Sequence, residues 1–181
     1  MKTAIVTGAG AGIGKTICQK LSQKNYRVGM LDLNEENVNE ASKGIENSFP
    51  LHGDVTNQES IKKAFEKFGE IPDLLVNNAG VVLFGLLEEH SVEDYSKSLN
   101  INLLGSFITS RILINEMIKR GSGSIINMSS VNGVNPGIGS GAYPASKAGI
   151  ISMTQQMAIE WGKFGIRVNC ISPGFIDAGM S

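Results

Sequence analysis

The sequence has little of what would narrow its role at a glance. It carries two cysteines, Cys18 and Cys170, and two histidines, His52 and His90, among 181 residues. Neither cysteine stands at metal-ligand spacing, so no metal site is expected. Both fall in apolar periodic segments and read as buried free thiols, which suits a reducing, cytoplasmic compartment. The histidines sit in loop-like contexts and are expected to be solvated. There is no basic excess: 16 Lys and Arg against 17 Asp and Glu leave a net charge of −1. That excludes the electrostatic footprint of a nucleic-acid or anionic-membrane binder. No apolar run approaches the ~18–20 residues of a membrane span, and the chain enters a strand-like run at once without a signal-peptide pattern. Linkers, internal repeats and low-complexity tracts are missing as well, so residues 1–181 read as one domain.

What is there is alternation. Short apolar runs at 3–7, 27–33, 49–55, 73–79, 124–130 and 167–172 read as buried strands. Between them Ile13, Ile17 and Leu21 recur at a helical step, as do Val38, Ala41 and Ile45, and Ile61, Phe65 and Phe68. Strand, helix and strand repeated in this way predict an α/β fold, a doubly wound parallel sheet (Rossmann fold) with helices on both faces. Two later helices, 103–120 and 144–165, are apolar most of the way round. That fits either a thick core or an oligomer interface.

The 22 glycines are clustered, and "TGAGAGIG" (7–14) follows the first strand and opens the first helix. Its glycines, at 8, 10, 12 and 14, do not keep the G-x-G-x-x-G spacing. The physics is unchanged, because glycines let backbone and helix N–H groups approach a pyrophosphate. Asp32 ends the second strand 20 residues beyond Gly12, where an acid accepts hydrogen bonds from adenosine ribose hydroxyls. A carboxylate there repels a 2′-phosphate, and neither Ala11 nor Leu33 offsets it with positive charge. NAD is therefore expected over NADP.

In "GAYPASKAG" (141–149), Pro144 suits the first position of a helix, with Tyr143 at its edge and Lys147 one turn on. A tyrosine ordinarily titrates near 10, and each unit of depression takes about 1.4 kcal/mol. Bringing the phenol to neutrality needs roughly 4 kcal/mol, about what one cation at 4 Å supplies at an effective dielectric of 20. Lys147, a nicotinamide cation and the helix N-terminus are the expected sources, and Tyr143 would then exchange a proton with a carbonyl or alcohol oxygen.

Taken together, "TGAGAGIG", Asp32, "DV" (54–55), "NNAG" (77–80), Asn102 in "NINLLG", Ser130 in "NMSSV", "YPASK" (143–147) and "SPG" (172–174) resemble the short-chain dehydrogenase/reductase family in order and spacing, over essentially the whole chain. The resemblance implies Tyr143 as general acid/base, Ser130 holding the substrate oxygen, Lys147 on the nicotinamide ribose, and Asn102 positioning a relay water. It implies Gly8, Gly12, Ile13 and Gly14 along the dinucleotide, Asp32 at the ribose, Asp54 and Val55 at the adenine, and Asn78, Ala79 and Gly80 beneath the cofactor. Pro173, Gly174 and Ile176 would meet the nicotinamide, with Ala178 where a threonine is usual. Ser129, one residue from Ser130, is the competing hydroxyl. The implied pocket walls are Val131, Asn132, Val134, Ile138 and Phe175.

The implied activity is reversible hydride transfer between NAD(H) and a secondary alcohol or ketone. The alternatives are a 3-oxoacyl-thioester reductase, a sugar-nucleotide epimerase or dehydratase, and a dinucleotide-binding module without catalysis. A homodimer or homotetramer through helices 103–120 and 144–165 is implied too. The family also continues past "SPG" into a substrate lid and a last strand, so the sequence reads as the N-terminal part of a chain of roughly 240–250 residues.

Overall fold

The computed structural model describes residues 1–177. Six strands form one parallel sheet: β1 (Lys2–Thr7), β2 (Tyr26–Asp32), β3 (Ser48–His52), β4 (Leu74–Asn77), β5 (Gly123–Met128) and β6 (Ile166–Ile171). Their order across the sheet is β3-β2-β1-β4-β5-β6. The order reverses between β1 and β4, so the loops leaving those strands diverge and open a crevice at the carboxyl ends. Among the described residues β3 and β6 are the two edges. The strands are shorter than their apolar runs suggest: Gly53–Val55 and Asn78–Ala79 have already turned out of the sheet toward the crevice.

Side-chain alternation along the strands divides the core in two. On one face Val6, Val28, Met30 and Val76 pack with Cys18 of α1 (Gly12–Gln23) and Val38 and Ala41 of α2 (Glu35–Ser42). On the other, Ile5, Leu31, Leu75 and Ile125 pack with Phe65 and Phe68 of α3 (Gln58–Phe68). Leu113 and Met117 of α5 (Gly105–Arg120) and Met157 of α6 (Tyr143–Trp161) join that second core.

Local chemistry sets the helix ends. The Asn57 side chain accepts from Ser60 N at 3.0 Å to start α3, and Gly69 stops it in the left-handed region at φ 84°. α1 has no such start: Ala11 offers no side-chain cap, and the first turn carries no acid.

A helix that the sequence pattern passes over, α4 (Val92–Leu99), runs without a break through a π turn at Asn100–Leu104 into α5. The predicted 103–120 helix is thus the later part of a longer continuous helical run. The 144–165 helix instead gives way at Gly162 to a single 3₁₀ turn ended by Gly165. Of the cysteines, Cys18 is buried as expected, while Cys170 on edge strand β6 is only partly covered. Burial pushes the Cys18 thiol up to about 12, so it stays protonated and inert. Among the described residues no helix is long and apolar enough to cross a membrane.

Candidate active site at the sheet's switch point

The loop after β1 folds Gly8 and Gly12 into the left-handed region at φ 65° and 53°. Gly14 must be glycine for room: a Cβ there would stand 2.0 Å from the Gly8 carbonyl oxygen and 2.6 Å from Nδ2 of Asn78. This closeness brings the uncapped start of α1, with Ile13 packed against the sheet behind it, to the floor of the crevice. Uncapped N–H groups at a helix N-terminus suit a phosphate. Asn78 fastens the neighbouring loop, donating from Nδ2 to the carbonyls of Thr7 and Gly8 at 3.0 and 3.1 Å. Thr7 Oγ1 accepts from the backbone N–H groups of both Asn78 and Ala79 at 3.0 Å.

Beside this cradle lies a cleft of about 800 Å³ whose lining includes Gly8, Asp32, Asp54, Val55, Ala79 and Gly80. Asp32 accepts from Gly10 N at 2.8 Å through Oδ2 and from Asn34 N at 3.0 Å through Oδ1, so it also ties the glycine loop to the end of β2. Asp54 turns its carboxylate inward to Thr56, accepting from N at 2.8 Å and from Oγ1 at 2.7 Å. α4 and the π turn close the cleft with Glu93, Lys97 and Asn100. Lys97 is a cation that reading the loop residues alone overlooks, and it shares the lining with three carboxylates, Asp32, Asp54 and Glu93.

β5 delivers the second half of the site. Ser129 is buried, and its hydroxyl donates to the Lys147 carbonyl at 2.8 Å, so that competing hydroxyl is committed to pinning α6. Ser130 caps the next short turn, accepting from Asn132 N at 3.2 Å. Tyr143 is the first residue of α6, with Pro144 second. Lys147, almost wholly buried, lies with Nζ 5.3 Å from the Tyr143 ring centre and donates to the Met128 carbonyl at 2.7 Å. A Cβ on Gly80 would be 3.6 Å from that Nζ, so the cradle and the Tyr–Lys pair share a wall.

Without a bound cation the phenol is not depressed. Burial, which strips solvent from a phenolate, holds the Tyr143 pKa above its ordinary value, and the Ser130 hydroxyl acts against that rise. The same burial pulls Lys147 from 10.5 down to about 8. A folded pKa below the unfolded one means that the folded protein holds the ammonium at a cost below about pH 8. That cost fades as pH climbs from about 8 toward 10.5. Relative to wild type, Lys147→Met is therefore expected to gain up to about 3 kcal/mol at neutral pH over its standing at pH 10.5, while the Met128 carbonyl it leaves unpaired subtracts an amount that does not vary with pH. The gain should shrink steadily between those two pH values. Paired denaturant titrations of the two proteins across pH 7–10.5 read the difference, and a gain that does not vary with pH would contradict it.

Asn102 lies in the π turn and is fully buried. It accepts from Val81 N at 2.8 Å and donates to the Val81 carbonyl and to Ser146 Oγ, both at 2.9 Å. Ser146 Oγ donates in turn to the Tyr143 carbonyl at 2.7 Å. Both amide protons are thus spent on joining the loop after β4 to the first turn of α6. Pro173 is held, its carbonyl accepting from Val131 N at 3.0 Å, whereas Gly174 and Ile176 are exposed. Ala178 lies outside the described residues.

Two further features escaped the sequence reading. Beneath the site a buried polar chain runs from Thr109 Oγ1 to Asn77 Oδ1 (2.6 Å), from Asn77 Nδ2 to Asn127 Oδ1 (2.8 Å), and from Asn127 Nδ2 to Thr154 Oγ1 (2.9 Å). Its only sequence signal is an asparagine near the end of each of two apolar strands. The second feature is His90, which is not solvated: both ring nitrogens are buried without a partner among the described residues. The ring fills the space over Gly141, where a Cβ would come within 2.1 Å of Nε2. Together with the bond from Gly85 N to the Gly139 carbonyl (2.9 Å), it straps the loop after β4 to the approach to Tyr143.

A glycine cradle, a strand-end acid and a Ser–Tyr–Lys group on one crevice set a narrow expectation, and a family model described as short chain dehydrogenase matches residues 2–181. The chain belongs to this family. Among its relatives, an NAD-dependent glycerol dehydrogenase of Listeria innocua is 40% identical over 97% of this chain and 70% of its own length. A 3-oxoacyl-[acyl-carrier-protein] reductase of Thermotoga maritima is 38% identical over 99% of this chain and 76% of its own. A crystal structure of a 3-oxoacyl-[acyl-carrier protein] reductase with bound NAD from Brucella melitensis superposes with a TM-score of 0.95 at 31% identity, covering 98% of this chain and 72% of that one. This short-chain dehydrogenase is an oxidoreductase.

Proposed function

We propose that the protein interconverts a secondary alcohol and a ketone with NAD(H), through Ser130, Tyr143 and Lys147. A bound nicotinamide dinucleotide supplies or accepts the hydride. The chain's own residues do the rest. The start of α1, with Gly8, Gly12, Ile13 and Gly14, holds the pyrophosphate, and Asp32 takes the adenosine ribose. Asp54 and Val55 border the adenine, and Asn78, Ala79 and Gly80 form the wall beneath. Ser130 holds the substrate oxygen; Tyr143 as the neutral phenol gives it a proton in reduction, and as the phenolate takes one from it in oxidation. Lys147 steadies the nicotinamide ribose and the phenolate, Asn102 keeps the first turn of α6 in place, and Pro173, Gly174 and Ile176 lie on the nicotinamide side.

The observation that carries the reading is the approach of Lys147 Nζ both to the Tyr143 ring and to the Gly80 wall of the cradle. NAD is favoured over NADP because Asp32, Asp54 and Glu93 outnumber Lys97 in the cleft that would receive a 2′-phosphate. The glycerol dehydrogenase relative supports this choice. The reductase relatives support a second reading, a 3-oxoacyl-thioester substrate. Consumption of NADH and NADPH against a panel of simple ketones, hydroxyketones and a 3-oxoacyl thioester separates the two. The proposal predicts turnover of small ketones with NADH, and binding of NADH without turnover of any carbonyl would refute it.

The proposal extends to assembly and setting. Apolar side chains on the outer faces of α5 and α6 are not absorbed by the core: Ile159 is 76% and Phe107 41% exposed. Phe107 borders a groove of about 490 Å³ between the helices, lined also by Leu103, Leu104 and Met153. A homodimer or homotetramer through these faces covers them, and a sedimenting species of monomer mass at micromolar concentration would count against it. A cytoplasmic setting is part of the same proposal, and the free, buried thiol of Cys18 suits it.

A further inference from the structure

Two polar side chains flank the reacting group without a part in the proton transfer. Asn132 sits two residues after Ser130, its backbone N–H donating to the Ser130 hydroxyl at 3.2 Å. Ser140 sits three residues before Tyr143, its carbonyl accepting from Tyr143 N at 3.1 Å. Each is therefore one hydrogen bond from a reacting residue, and the two face one another: Asn132 Nδ2 lies 3.5 Å from Ser140 Oγ. That separation is at the outer limit of a hydrogen bond, so it satisfies neither group well. Nδ2 carries two N–H donors and Oδ1 two lone pairs. In the described residues nothing else engages either end of the Asn132 amide.

The surroundings make this pair stand out. Val131, Val134 and Ile138 alternate with it along the same loop, and all three are exposed, Ile138 at 97%. The 131–142 stretch holds no ionisable side chain, so a charged substrate group would find no counter-ion there. The loop is thus uncharged and largely apolar, with two neutral amides: Asn135 is exposed, whereas Asn132 is half-buried and joined through its backbone to Ser130. Ser140 is buried, and Gly137 leaves its hydroxyl room: a Cβ there would be 3.3 Å from Ser140 Oγ.

We propose that Asn132, backed by Ser140, forms a subsite for a second, uncharged oxygen on the substrate, next to the reacting carbon. The preferred substrates are then vicinal diols and the matching α-hydroxyketones rather than simple alcohols and ketones. This rests on the oxidoreductase reading of the Ser130–Tyr143 site. A substrate hydroxyl here accepts from Nδ2 and donates to Oδ1, giving the amide the partners that Ser140 supplies only at the limit of range. A substrate without that hydroxyl leaves the amide poorly satisfied in a partly buried position, which is the basis of discrimination.

The test compares kcat/KM for hydroxyacetone and acetone with NADH, in the wild type, Asn132→Leu and Ser140→Ala. The wild type is expected to prefer hydroxyacetone about tenfold or more. Asn132→Leu, with the same branching and number of side-chain heavy atoms but no hydrogen-bonding group, should bring the ratio to within about threefold by loss on hydroxyacetone alone. Ser140→Ala should shift it partway. Equal use of the two ketones by the wild type, or an equal loss on both in Asn132→Leu, overturns the subsite while leaving the oxidoreductase reading intact. Failure to reduce either ketone, with NADH still bound, takes both readings down together.

Discussion

Tyr143→Phe is expected to lower kcat for ketone reduction by roughly 10²–10⁴-fold, the range of a lost general acid, with little change in NADH affinity. The substitution removes one oxygen. It keeps the ring 5.3 Å from Lys147 Nζ and leaves the cradle at Gly8–Gly14 untouched. Burial holds the phenol above its ordinary pKa, so at neutral pH it is protonated and ready to donate as an alkoxide forms. The reverse reaction needs the phenolate, so alcohol oxidation should quicken as pH rises. NADH fluorescence titration beside steady-state rates separates the two effects. Unchanged kcat, or a loss of NADH binding as large as the loss of rate, would contradict the assignment.

The second large effect concerns Asp32. Asp32→Ser is expected to weaken NADH binding about 10–100-fold, as two charge-assisted hydrogen bonds to ribose are lost. NADPH binding should weaken less or improve, because the like charge facing a 2′-phosphate is gone and Lys97 remains in the lining. The carboxylate also accepts from Gly10 N, so part of the loss reflects a looser glycine loop. The change in the NADH-to-NADPH ratio is therefore the decisive quantity. An unchanged ratio would remove Asp32 from the ribose site.

The features legible in the sequence are those written in local patterns. The glycine loop, Asp32 and the Tyr143–Lys147 step each depend on neighbours within about one turn or one strand end, and strands alternating with one-faced helices suffice to predict a doubly wound parallel sheet. What was not legible depends on distant partners. The fate of the Asn102 amide is decided by Val81 and Ser146, which lie 21 and 44 residues away. His90 looks like a loop residue until Gly141 is folded beneath it. α4 went unread because its eight residues bury only Ser98, so no apolar stripe announces it, and Lys97 was missed with it. The upward shift of the phenol in this structure was not legible for another reason: its sign is set by burial, and burial is a property of the fold, not of the motif.

The central claim is that hydride moves between a nicotinamide and a carbonyl carbon held at Ser130 and Tyr143. It is tested most directly by reducing a small ketone with NADH deuterated at the transferring carbon and examining the product by mass spectrometry and NMR. One deuterium on the carbinol carbon, appearing with wild type and falling away with Tyr143→Phe, is the predicted result. An alcohol product without the label, or binding of the labelled cofactor with no product from any carbonyl tried, would contradict the account.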